Sequence, residues 1–234
     1  MIKEFIPKHI SNKIVLSILS FLTHVSFISN ATIKEHSMRN GQCIKAHLTR
    51  GFIEDQYKWI DVQYGKKNIS YSGCEIIAVY NALYSLNIEV NAKFLVELIS
   101  YFEKKGTVLN GRWGTSPNAV LKYLRKRGFE AEILINDDIN QLKQIENKYD
   151  TFIVTVYNDR YDITKQIHTV NISRNNGAYQ IHNVYFKDEK GNPIPKNRDF
   201  SGKTIRDLSV AVENISASNC KMISLIGISA NQKI

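Results

Sequence analysis

The stretch Ser72-Gly73-Cys74-Glu75-Ile76-Ile77-Ala78-Val79-Tyr80-Asn81-Ala82-Leu83-Tyr84 combines a helix-start signal with an apolar set too wide for one helix face. Ser72 followed three residues later by Glu75 has the form of a capping box, which predicts a helix with Ser72 as N-cap. Ile76, Ile77, Val79, Tyr80, Leu83 and Tyr84 cover more than one face, so this helix is expected at the centre of the fold. Cys74 then lies in the first turn, where unpaired N–H groups and the helix dipole favour a thiolate. Glu75 opposes that effect.

Downstream, Phe94–Ile99 and Asn118–Leu124 carry helical spacing and are closed by Gly106 and Gly128; Ile139–Tyr149 reads as a further helix. The period then changes. Thr151–Tyr157, Ile167–Ser173, Ala178–Val184 and Met222–Ile228 are β-branched and aromatic runs bounded by turn residues. Helices first and strands after predict an α+β domain with a largely antiparallel sheet.

The chain has 234 residues, 43% of them hydrophobic, with 12 Gly and 4 Pro, which suits one packed domain and excludes disordered, collagen-like and low-complexity classes. The net charge of +9 invites a polyanion partner. However, the densest basic run, Lys122–Arg127, alternates with Val120, Leu121 and Leu124 at helical spacing and reads as a solvated helix face. No zinc-finger, RNP or lysine-tail signature is present, so nucleic acid is not expected as a partner. Cys43, Cys74 and Cys220 cannot all pair within the chain, and none lies in a C-x-x-C, so neither a disulfide framework nor a structural zinc is expected.

Residues 1–56 are set apart from a domain at 57–234. Residues 1–31 run from Lys3, Lys8 and Lys13 through Ile14–Leu22 to Ser29-Asn30-Ala31, the order of a secretory signal. This gives the expectation of a secreted or cell-surface protein with no stable membrane span in its mature form. Removal of 1–31 outside the cell would leave Cys43 and Cys220 to pair. The alternative is a cytoplasmic protein whose amphipathic N-terminal helix packs on the domain through Ile14, Ile18, Phe21, Leu22 and Val25. Residues 31–56 are polar and read as a linker or pro-segment.

The Asn175-Asn176-Gly177 cluster joins two strands as a hairpin. A turn centred between Asn175 and Asn176 makes cross-strand partners sum to 351 and sets His168 opposite Asn183. An Asn176-Gly177 turn makes the sum 353, with Asn183 on the diagonal. Both registers keep His168 and Asn183 on one face. A cysteine, a histidine and a side-chain amide are the groups that nucleophilic acyl transfer requires. His182 alternates with Asn183 and reads as structural.

Tyr71-Ser72-Gly73-Cys74-Glu75-Ile76-Ile77-Ala78-Val79-Tyr80-Asn81-Ala82-Leu83 resembles the S-G-C-G-x-x-A-x-x-x-x-L nucleophile segment of C39-like, papain-superfamily cysteine peptidases. Gly114-Thr115-Ser116-Pro117 resembles that family's G-T-S turn, Ile167–Ile172 its H-x-V-x-I strand, and Gly177–Val184 its G-x-Y-x-I-x-D/N-P ending. The resemblance covers about Tyr57 to Ile228 and implies a papain-like fold, with a helical half around the nucleophile helix and an antiparallel sheet following. It implies Cys74 as nucleophile, His168 as base and acid, Asn183 as orienting residue, and no cofactor or metal. Gln63, with Asn68 as the alternative, is the expected side-chain donor to the oxyanion. Gly73, Glu75, Trp113 and Gly114 are expected to line the substrate, a peptide or protein. Glu75 replaces the family's Gly, and Val184 its Pro. Transfer of the acyl group to an amine, or a catalytically idle peptide-binding domain, are the alternative readings.

Overall fold

The computed structural model describes residues 11–135, 138–157, 167–187, 193–195, 204–215 and 222–230. Two helices open it, α1 (Asn12–His24) and α2 (Asn30–His47). A 3-10 turn (Gln56–Lys58), a two-strand ribbon of β1 (Gln63–Tyr64) and β2 (Lys67–Asn68), and the short α3 (Ile69–Ser72) lead to α4 (Cys74–Ser85). There follow α5 (Ala92–Lys105), α6 (Pro117–Lys126), β3 (Glu130–Leu134), α7 (Ile139–Lys148), β4 (Thr151–Tyr157), β5 (Ile167–Asn175) and β6 (Ala178–His182). A second ribbon, β7 (Tyr185–Lys187) with β8 (Pro193–Pro195), then α8 (Leu208–Glu213) and β9 (Met222–Ser229), complete the α+β fold.

The main sheet has the order β3-β9-β4-β5-β6, and every neighbouring pair is antiparallel. Strand alternation sends Ile153 of β4 and Ile226 and Ile228 of β9 toward α4, while Phe152, Val154, Val156 and Leu225 face the opposite side with Leu142 of α7 and Leu208 of α8. Residues 74–83 of α4 are buried without exception, because the helix has the sheet on one side and α5 and α6 on others. Its all-round apolar sequence is therefore satisfied on every face.

The capping box does not form. Gly73 is the N-cap of α4, and no side chain caps it. Ser72 ends α3 instead, donating from Oγ to the Asn68 carbonyl at 3.4 Å. A Cβ at residue 73 would come within 2.7 Å of Ile69, so glycine is required here by the close approach of α3 to α4.

The N-terminal stretch is integrated with the rest of the chain. Asn12 donates to the carbonyls of Ile135 and Met222 at 3.0 and 2.9 Å, and Asn118 of α6 donates to Ser20 Oγ at 2.7 Å. Of the apolar face read as packing on the domain, Ile14, Ile18, Phe21 and Val25 all point outward; Leu16 and Leu19 are the buried residues. Much of the stretch read as linker or pro-segment is α2, which packs on α5. His36 meets Glu103 at 2.6 Å, and Asn40 holds both the N–H and the carbonyl of Gln63 at 2.8 and 2.9 Å. Among the described residues, no helix is long and apolar enough to cross a membrane.

Candidate active site

The hairpin settles the register. Asn171 pairs with His182 and Asn175 with Ala178, so partners sum to 353 and Asn176-Gly177 is the turn, both residues with positive φ (50° and 74°) as a two-residue I′ hairpin needs. The 351 register is excluded. The β5–β6 ladder stops at His182 because Asn183 adopts φ 63°, a left-handed conformation that Asn tolerates better than most residues. That kink turns the Asn183 carbonyl toward His168, whose Nε2 lies 2.9 Å away.

A carbonyl oxygen only accepts, so Nε2 carries the ring proton and Nδ1 of the neutral imidazole is the acceptor. Burial holds the His168 pKa below its usual value, against the raising effect of the Asn183 carbonyl. The contact to the imidazole that the resemblance implies for the Asn183 side chain is made by its main-chain carbonyl. The side-chain amide pairs with Gln56, its Nδ2 donating to Gln56 Oε1 at 2.9 Å and its Oδ1 accepting from Gln56 N at 3.3 Å.

Cys74 lies at the start of α4, 7% exposed. Its Sγ donates to Glu75 Oε2 at 3.4 Å, and the main-chain N–H groups of Thr169 and Glu75 face the sulfur. Burial, reinforced by the Glu75 carboxylate, pushes the thiol pKa well above its ordinary value; the two N–H groups oppose this only in part. Among the described residues, no hydrogen bond joins Cys74 to His168. His168 pairs with Val156 and leaves the strand on that residue's face, whereas Thr169 leaves on the face toward α4. Burial thus favours the neutral form of both the thiol and the imidazole.

Glu75 is 3% exposed and turned inward, so it does not line a substrate surface. Its carboxylate accepts from Thr169 Oγ1 at 3.5 Å and from the Thr115 main-chain N–H, and burial lifts its pKa to about 7. Thr115 also meets the Tyr64 hydroxyl at 2.5 Å, extending the buried polar chain away from the cysteine. Gly114 packs directly on the carboxylate, where a Cβ would lie 2.6 Å from Oε2. Gly114 and Gly73 thus shape the site by close packing. Trp113 is half-buried in the adjoining loop, closed by a Thr107–Thr115 bridge.

The two oxyanion candidates are placed differently. Gln63 sits in β1 with its main chain held by Asn40. Asn68 caps α3, its Oδ1 accepting from Tyr71 N at 2.9 Å. That cap occupies the amide oxygen of Asn68 and leaves its NH2 group, the part an oxyanion would need, outside the cap.

Sequence reasoning missed Glu54, Gln56, Thr115 and Thr169. Glu54 accepts from His182 Nδ1 at 2.8 Å and from Asn183 N at 3.1 Å, while His182 Nε2 meets Ser173 Oγ at 2.8 Å and the ring stacks on Phe52. His182 is therefore structural, as its alternation suggests. Thr169 could have been found from its place beside His168. Glu54 and Gln56 have no local signal, because the residues that tie them to this site, His182 and Asn183, lie more than a hundred residues away. Glu54→Ala is expected to destabilise the fold by about 2–3 kcal/mol through unpaired donors on His182 and Asn183. Hydrogen exchange should show the loss concentrated in residues 52–56 and 182–183.

Among the described residues, no group of three His, Cys, Asp or Glu side chains is placed to hold a metal ion. Cys43 is free; its suggested partner Cys220 lies outside the described residues. Neither a family model nor a curated protein matches the chain.

Proposed function

We propose that this protein is a papain-like cysteine peptidase acting on a peptide or isopeptide bond. The observation that carries the reading is the position of His168. Its proton-bearing nitrogen is fixed by the Asn183 carbonyl, and it immediately precedes the residue whose N–H faces the Cys74 sulfur. A helix N-terminus supplies the nucleophile, and an adjoining antiparallel strand supplies the base.

In this reading Cys74 Sγ attacks the substrate carbonyl carbon and its proton passes to His168 Nδ1. The C–N bond then breaks, the amine leaves with that proton, and water hydrolyses the thioester to a free acid. The Cys74 main-chain N–H and the Asn68 amide are the donors assigned to the oxyanion. The proton transfer requires the imidazole to come within hydrogen-bonding range of the thiol, a tightening common on substrate binding.

Incubation with a peptide library, read by intact mass, is the test. Acylated Cys74 and free-acid products are expected, both absent in Cys74→Ala, with turnover reduced by about a hundredfold or more in His168→Ala. One observation favours a second reading, an idle peptide-binding domain: the thiol is held protonated by burial and by Glu75. Binding without acylation, unchanged in Cys74→Ala, would establish that reading.

A further inference from the structure

The helix α1 leaves its more apolar face uncovered. Ile14, Ile18, Phe21 and Val25 are 52, 47, 64 and 57% exposed. At 3.6 residues per turn these four positions fall within about 60° of one another, so they form one stripe along the helix. Leu16 and Leu19 on the other side satisfy the interior. Phe27, just beyond the helix, continues the exposed apolar surface. Contiguous exposure on this scale marks a contact surface, whereas single exposed apolar residues do not.

Charge decides what covers it. The chain carries a net charge of +9. Lys13 flanks the stripe, and α6, on which α1 packs, exposes Lys122, Arg125 and Lys126. A second copy of this chain would bring like charge against like, whereas an anionic bilayer supplies the opposite sign together with an apolar layer beneath it. The helix is only 13 residues long, and no helix among the described residues can cross a bilayer, so the geometry is that of a helix lying in the interface. We propose that α1 docks the protein on an anionic lipid surface, with Ile14, Ile18, Phe21 and Val25 entering the acyl boundary and the neighbouring basic residues resting on headgroups.

The experiment is co-sedimentation of the full chain with phosphatidylcholine vesicles, with and without phosphatidylserine. Wild type is expected to sediment with the phosphatidylserine vesicles and to be released by salt. Ile18→Ser/Phe21→Ser should lower the vesicle-bound fraction about tenfold or more, with an unchanged circular dichroism spectrum. Lys122→Glu/Lys126→Glu, which leaves the stripe intact, should lower it as well. Wild type that stays in the supernatant, binds both vesicle types equally, or binds no better than the stripe variant would overturn the proposal. So would a dimer in light scattering that Ile18→Ser/Phe21→Ser dissolves, since a second copy would then be the occupant.

Discussion

Glu75→Gln is expected to speed iodoacetamide labelling of Cys74 about tenfold or more at pH 8, with the two proteins converging below about pH 6. The carboxylate lies 3.4 Å from the sulfur, and a like charge at that range disfavours the thiolate and raises the thiol pKa. The amide removes the charge, and its NH2 group can donate to the sulfur where the carboxylate could only accept. Convergence at low pH follows because Glu75, with its pKa lifted to about 7, is itself neutral there. The groups that bear on Glu75 are Cys74 on its own helix, Thr115 and Thr169, and its carboxylate is the group that hydrogen-bonds the thiol.

The same substitution has a stability signature. In the folded state Glu75 keeps its proton up to about pH 7, against an ordinary value of 4.5, so between those limits the folded state holds a proton the unfolded state has released. Stability falls as pH rises through that window, and above it the full cost is about 3 kcal/mol. Glu75→Gln should therefore be more stable than wild type at pH 8 by up to about 3 kcal/mol, the gap narrowing toward pH 5, in urea titrations at the two pH values. Slower labelling of the variant at pH 8 would assign Glu75 the opposite role, as acceptor of the thiol proton.

Legibility in the sequence followed the physics of each element. The helices from α4 to α7 and strands β4, β5, β6 and β9 were readable because apolar periodicity and stop residues agreed; Thr151–Tyr157 is bounded in the structure as in the sequence. Helix α2 was not, since it buries Ile44 and Asn40 and is attached through polar contacts at His36 and Asn40, which leave no apolar period. At α1 the period was present but ambiguous: two apolar faces exist, and tertiary docking through Asn12 and Ser20 selected the Leu16–Leu19 face. The Cys, His and Asn could be placed on a helix start and a hairpin. The role of Asn183 could not, because it depends on a left-handed φ at one residue and so exchanges a side-chain contact for a carbonyl. Glu75 was the most misleading residue, since its spacing from Ser72 satisfied a capping rule while its carboxylate was committed to Cys74, Thr115 and Thr169.

Gly114→Ala tests that commitment without reference to any substrate. Residue 114 has φ 69°, which costs a residue with a Cβ about 1–2 kcal/mol, and the new Cβ would lie 2.6 Å from Glu75 Oε2 and 3.0 Å from Oε1. The carboxylate is buried and bonded to Thr169 and Thr115, so it cannot move aside without losing those partners. The total expected loss is about 2–4 kcal/mol, a melting temperature lower by about 5–10 °C for a domain of this size. Gly128→Ala is the control: its φ is 88° and nothing lies within 4 Å of the added Cβ, so it carries the conformational cost alone. The excess at Gly114 over Gly128 measures the contact with Glu75, and in a Glu75→Ala background that excess should vanish. If the two glycine variants lose equal stability, the carboxylate is not held where the site places it, and the pH dependence drawn from its position fails with it.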